Sequence, residues 1–429
     1  MRRLICFAAA LLVAAASLSG QDRNIRQELQ ENPLRYGGSS SPYEYAPGEV
    51  TAPPEGFKPF YISHFGRHGS RFHTSKDLCA GLLKVFRKAD SLGVLTALGA
   101  SAYCRIQVAD SLSRHRSGDL TPVGEREQRE IAARMLAAYP EVFQGKDIPI
   151  TARSTTSARV LLSMASFCEE IRSRCPQARI VHEAGDRTNA VLNHYTPNYR
   201  KYYENGHWRA VRDRWTEKHF HSDRMVYRLF RSADVFDGKA DGGRARRFVR
   251  DLYSLAKILP AYGAGLSLTD LFPEEDLFVL WQIGNMEQYM RKGPSALAPV
   301  LAPGIAAPLL KDFLERADEA VSGGPVRADL RFGHGEGIMP LAALMQLEGA
   351  SDVCDDPDRM AQVWQDYRIT TMAANIQWVF YRNTAGEVLV HLFLNEREVR
   401  VNMPGETGPY YRWDCLKAYY TNLLEIIAR

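Results

Sequence analysis

The sequence predicts an α/β protein, a doubly wound sheet domain carrying a large, mostly helical insertion. Three strand-then-helix units far apart in the chain predict it. The apolar run Phe60-Tyr61-Ile62 reads as a strand ending near His64. Residues 147–152 form a second short strand, followed by a helix with Ala158, Leu161, Leu162, Ala165 and Ile171 at helical spacing. Residues 328–332 and 339–347 repeat the pattern late in the chain. Units this distant share one sheet only if intervening chain is looped out, and the stretch from 175 to 320 is helical in pattern, as over 247–259. A chain of 429 residues is long enough for two domains. We therefore assign 21–174 with 321–429 to the sheet domain and 175–320 to the insertion.

The ends follow. Residues 1–20 read as a secretory signal peptide: a positive Met1-Arg2-Arg3 start, an apolar stretch over 4–18, and small residues Ser17-Leu18-Ser19-Gly20 for cleavage. A membrane anchor is the weaker alternative, because the run falls short of the roughly 20 residues that span a bilayer. No later stretch is longer, so we expect an exported protein, periplasmic or secreted, with no integral membrane segment after signal removal. Residues 21–55, with Gly37-Gly38-Ser39-Ser40-Ser41-Pro42, read as an irregular arm. Residues 375–381 and 388–395 flank 382–386 as a hairpin, and 414–427 closes the chain as an amphipathic helix.

Composition is that of an ordinary soluble protein, 45% hydrophobic and 24% charged. Cys6 leaves with the signal, and the six cysteines that remain (Cys79, Cys104, Cys168, Cys175, Cys354 and Cys415) favour disulfides in an oxidising compartment. Many pairings are open; Cys354 with Cys415 is the one we expect, since both flank the C-terminal strands. The chain lacks C-x-x-C and H-E-x-x-H, so we expect no zinc or other metal site.

Net charge is +4, unevenly placed. Between Tyr199 and Arg250 stand 14 Lys or Arg against 7 Asp or Glu, a surplus of 7 that leaves the remainder acidic by 3. Aromatics interleave there, but an exported protein has little call to bind nucleic acid, and a small polyanion fits better. A solvated helix face whose Arg stems cover apolar surface is the alternative.

The chemistry concentrates in Ser63-His64-Phe65-Gly66-Arg67-His68-Gly69-Ser70-Arg71-Phe72-His73. Two guanidinium forks match phosphate oxygens bidentately, and an imidazole between them can attack phosphorus while the charge is held. Gly69 would let the backbone approach an anion; a basic surface turn is the plainer reading. Ligands in open α/β sheets sit at the carboxyl ends of strands. The other two candidate strand ends carry Arg153-Ser154-Thr155-Thr156-Ser157-Ala158-Arg159 and Phe332-Gly333-His334-Gly335-Glu336-Gly337. The glycines of the last are spaced G-x-G-x-G, which is not the nucleotide-binding spacing. At a helix start its amides would also favour an anion.

On these motifs the chain resembles the histidine acid phosphatases of clade 2, and among them the multiple inositol polyphosphate phosphatase and phytase branch. Arg67-His68-Gly69-Ser70-Arg71 matches the family's R-H-G-x-R. Gly118-Asp119-Leu120-Thr121-Pro122-Val123-Gly124, followed by a helix containing Gln128 and ending at Tyr139, resembles its next landmark. The third phosphate arginine carries over to Arg159, and the late His with a carboxylate to His334 and Glu336. Two positions depart: Phe72-His73 stands where many members have x-Pro, and His-Gly-Glu where the branch has His-Ala-Glu.

The resemblance implies a phosphoglycerate-mutase-like sheet domain and a cofactor-free phosphomonoesterase. His68 would form a phosphohistidine while Arg67, Arg71, Arg159 and His334 hold the phosphate oxygens. Glu336 would protonate the leaving alkoxide and then assist water. His334 would have to be cationic or donating, which favours acidic to neutral pH. The substrate would be a small polyanion, inositol hexakisphosphate or its relatives, with His194, Arg200 and Lys201 as candidate contacts for its outlying phosphates. A broad acid phosphatase acting on sugar phosphates and a polyanion-binding protein with lost chemistry are the competing readings.

Overall fold

The computed structural model describes residues 24–193 and 195–428; the expected signal peptide and His194 lie outside the described residues. Eight strands form one mixed sheet: β1 (Lys58–Arg67), β2 (Ile148–Ser154), β3 (Ala178–Ala184), β4 (Ala328–Gly333), β5 (Asn375–Arg382), β6 (Val388–Leu394), β7 (Arg397–Glu398) and β8 (Tyr410–Arg412). Their order is β3-β2-β4-β1-β5-β6-β7, with β8 paired to β6. β3, β2, β4 and β1 run parallel, while β5 pairs antiparallel with β1 and, as the expected hairpin, with β6.

Both faces are covered, as parallel strands require. On one, helices Pro122–Ala138 and Ala158–Arg174 bury Ile131, Val160 and Phe167 against Ile62, Ala152 and Phe332. On the other, helices Ala307–Val321, Gly335–Leu344 and Trp413–Ala428 bury Phe313, Leu341 and Leu416 with Phe65, Trp378 and Phe380. Among the described residues no helix is long and apolar enough to cross a membrane.

Two boundaries differ from expectation. Residues 178–184, which the sequence places at the head of the insertion, are β3, hydrogen-bonded along β2 from Ile148↔Ala178 to Ser154↔Ala184. The helical body also takes chain from between β1 and β2: helices Leu78–Ser91 and Ala97–Ser113 pack on Asp223–Leu229 and Gly243–Ala256, with Phe86, Phe230 and Phe248 clustered between them. Both pieces are too short to close an apolar core alone.

The cysteine expectation is also corrected. All six described cysteines are free thiols, and Cys354 and Cys415 do not pair. Cys354 sits in a loop, its amide donating to the Tyr289 hydroxyl and its Sγ pointing to Asp356 O, whereas Cys415 stands in the first turn of the last helix.

Candidate functional site

Register brings the three motifs together. β4 lies between β1 and β2, with Arg67↔Gly333 and Ser154↔Phe332 as the last pairs of the two ladders. The segments that leave these strand ends therefore emerge side by side: Arg67-His68 from β1, Thr155 to Arg159 from β2, and His334 to Glu336 from β4. The last two run directly into helices, so helix N-termini face the same space.

The loop after β1 is held from several sides. Ser70 donates its amide and hydroxyl to Glu127, each at 2.7 Å, and the same carboxylate accepts Tyr43 N. Gln128 donates to Arg67 O at 2.9 Å. Gly69 N donates to Ser163 Oγ, which in turn donates to Arg159 O, linking the His68 loop to the helix that bears Arg159. Gly69 also serves packing: a Cβ there would overlap the backbone of Gly124.

His68 is buried, and its Nδ1 lies 2.9 Å from Gly69 O. Donation from Nδ1 leaves the lone pair on Nε2, facing out of the loop. Burial first, then Arg67, Arg71 and Arg159, hold its pKa well below the usual histidine range, so the ring is neutral and nucleophilic at ordinary pH. The His334 ring stands nearly perpendicular to it at 5.6 Å, with Nε2 3.3 Å from Thr155 Oγ1. Burial lowers His334 to about 4 against the pull of Glu336, so in the free protein it too is neutral above that pH.

The guanidinium groups are poised for a ligand. Arg67 commits one nitrogen, Nη1, to three carbonyls, of Ser39, Thr370 and Thr371, at 2.6–3.0 Å. Arg71 donates to Phe72 O. The Nε atoms of Arg67, Arg71 and Arg159 are all buried without a protein partner. Burial pulls Arg67 and Arg71 down to about 10, which leaves both charged at neutral pH. Buried donors left open are costly unless an acceptor arrives, and three such forks around one imidazole fit a tetrahedral oxyanion. Arg153, by contrast, is fully engaged with Asp312 through bonds of 2.7 and 2.6 Å.

Glu336 completes the set, in the first turn of its helix. Lys292 Nζ lies 2.9 Å from Oε1 and is the main reason the carboxyl is held well below its usual range.

The cavity beside this centre, about 380 Å³, is lined by Arg67, Arg71 and Glu336 together with residues the sequence did not single out: Ser39 and Ser40 of the arm, Lys257, and Lys292. Arg200 and Lys201 are exposed and do not line it. Much of the basic segment is engaged in ion pairs, such as Arg212 with Glu287 and Arg246 with Asp241. Lys257 and Lys292 carried no sequence signal beyond a cation in a helical pattern.

No family model matches the chain. Multiple inositol polyphosphate phosphatase 1 of Gallus gallus is 24% identical over 99% of this chain and 95% of its own, and the Homo sapiens protein of that name 22% identical over 92% and 84%. The crystal structure of Bifidobacterium longum multiple inositol polyphosphate phosphatase in complex with inositol hexasulfate has a TM-score of 0.74 at 20% identity, covering 90% of this chain and 97% of that one. The phytase of D. castellii reaches 0.67 at 15%, covering 92% and 86%. The chain is thus similar along nearly its whole length to multiple inositol polyphosphate phosphatases, and it shares the fold of that solved phosphatase and of the phytase. The expected α/β sheet domain agrees with the fold of these structural neighbours.

Within this site, the arm is the part read least well from sequence. Residues 33–40 form a short 3-10 turn in which Gly38 adopts φ 54° and ψ −130°. Ser39 N donates to Asp366 Oδ2 at 2.7 Å while Ser39 O accepts from Arg67, so the arm seats the Arg67 guanidinium.

Proposed function

We propose that the protein is an exported phosphomonoesterase that removes phosphates stepwise from inositol polyphosphates through a phosphohistidine. The observation that carries this is the convergence of three buried, unpartnered guanidinium Nε atoms around a neutral imidazole whose Nε2 is free. Its relatives' names supply the substrate class, and Lys257 and Lys292 give the cavity cations beyond those that one phosphate needs.

His68 Nε2 attacks phosphorus in line as the ester P–O bond breaks, with the electron pair passing to the leaving oxygen. Arg67, Arg71, Arg159 and His334 hold the equatorial oxygens, and Glu336 gives the leaving oxygen its proton. An inositol alkoxide is a poor leaving group without one. Water then attacks the phosphohistidine, giving its proton to Glu336, and the N–P electron pair returns to His68. Export rests on the leader at residues 1–20, and the N-terminal mass of the mature protein tests it.

Phosphate release from inositol hexakisphosphate, glucose 1-phosphate and p-nitrophenyl phosphate tests the reading. We expect the first to have the highest kcat/KM and His68→Ala to abolish release from all three. Full turnover by that variant removes the phosphohistidine; equal kcat/KM for the three favours the broad acid phosphatase.

A further inference from the structure

Lys292 ends the helix Glu274–Lys292, which belongs to the helical body and not to the sheet domain. Its side chain is only 5% exposed, it lines the cavity, and its one ion-pair partner among the described residues is Glu336, at 2.9 Å. A proton donor must carry a proton, and this pairing opposes that. The other cations facing Glu336 act in the same direction: Arg291 from Lys292's own helix, Arg67 and Arg71 from the β1 loop, and Arg159 from its helix. His334 beside it is neutral above about pH 4 and adds no charge there. Tyr195 and Tyr199, the hydroxyls on the remaining side, are neutral and add no charge.

A buried ammonium keeps its carboxylate only while no better anion is within reach. A phosphate beside the one being cleaved is such an anion, and Lys292 stands where the cavity meets Glu336. We propose that Lys292 couples substrate identity to proton supply: a second phosphate draws its ammonium away from Glu336, and the freed carboxyl binds the proton that the leaving oxygen needs. The coupling rests on the phosphohistidine reading above. The proton comes from solvent, passes from Glu336 to the ester oxygen as the P–O bond breaks, and leaves a carboxylate; Lys292 keeps all its protons throughout. An ester with a single phosphate leaves the ion pair closed and its leaving group unprotonated. Lys292 is thus a specificity-determining residue that acts on the chemical step through Glu336.

The test is kcat against pH for inositol hexakisphosphate and glycerol 2-phosphate, in the wild type, Lys292→Met and Lys292→Arg. In the wild type the alkaline limb for the polyphosphate should lie at least about one pH unit above that for the monophosphate, which is roughly tenfold in protonated Glu336. Lys292→Met should raise the monophosphate limb until the two nearly coincide, and Lys292→Arg should keep them apart. Coincident limbs in the wild type, or an undiminished gap in Lys292→Met, overturn the coupling; should the Met variant fail to fold, the wild type and Lys292→Arg decide. Failure of the underlying reading looks different. p-Nitrophenyl phosphate has a leaving group that needs no proton, so the same alkaline limb on that substrate would remove Glu336 as donor altogether.

Discussion

Gly335 lies flat against the Arg67 guanidinium: a β-carbon built on it would stand 3.2 Å from Arg67 Cζ and Nε and 3.1 Å from Thr370 Oγ1. The position that the family fills with alanine is therefore tight here, by a few tenths of an ångström. Arg67 is held through Nη1 by three carbonyls, so the strain falls on Nε, the atom left open for phosphate. Gly335→Ala should fold normally and raise KM for p-nitrophenyl phosphate about threefold to tenfold with little change in kcat. A drop in kcat alone would place the strain on Glu336 instead.

Arg159 offers a sharper division. It sits in the first turn of its helix, Nε buried and unpartnered, with its backbone oxygen tied to Ser163. Removing one preorganised donor from a developing oxyanion costs on the order of 10²-fold in kcat. Arg159→Ala should lose about that much, and Arg159→Lys should recover little, because a point charge cannot reproduce the planar fork. Near-complete recovery by lysine would mean that Arg159 contributes only field. Steady-state kinetics on p-nitrophenyl phosphate reads either result.

How much of this was legible in the sequence depends on where each contact is made. Arg67, His68, Arg71, Arg159, His334 and Glu336 were legible because each lies within a few residues of the end of a strand with a recognisable apolar run; the family resemblance singles out Arg159, and parallel register does the rest. β3 was not: as an edge strand it buries Ala178 and Ile180 but exposes Arg179 and Val181, so it lacks a continuous apolar run. Lys257 and Lys292 were missed because which face a helix turns to the cavity is fixed by docking of the helical body, which local spacing does not encode. Ser39 acts through its carbonyl, which any residue would supply. Arg200 and Lys201 look the same in sequence as Lys292 but end on the surface.

Gly38 is the residue of the arm that only glycine fits. Its backbone is in a region closed to L side chains, and a β-carbon would overlap the Asp366 carboxylate. Strain of this kind costs about 1–3 kcal/mol before the clash is counted. The same turn delivers Ser39 O to Arg67. Gly38→Ala should lower stability by at least about 2 kcal/mol in urea unfolding and also weaken inhibition by inorganic phosphate. A stability loss with unchanged phosphate inhibition would show that the arm supports the fold and not the arginine.

His64 lies four residues before His68, fully buried, with neither ring nitrogen partnered, between Phe167 at 5.2 Å and Phe332 at 5.7 Å. Burial first, and Arg331 second, depress it to about 3. In the unfolded chain it titrates near 6.5, so below that pH the unfolded state binds a proton that the native state refuses. Stability must therefore fall as pH drops from about 6.5 toward about 3, by about 1.4 kcal/mol per pH unit for this one ring. His64→Leu removes that dependence and leaves no polar atom unsatisfied. The variant should be within about 1 kcal/mol of the wild type at pH 7. At pH 5 it should have gained about 2 kcal/mol relative to the wild type. Urea unfolding at the two pH values reads the difference, in which every other titrating group cancels. An equal difference at both would mean that His64 has a partner when charged.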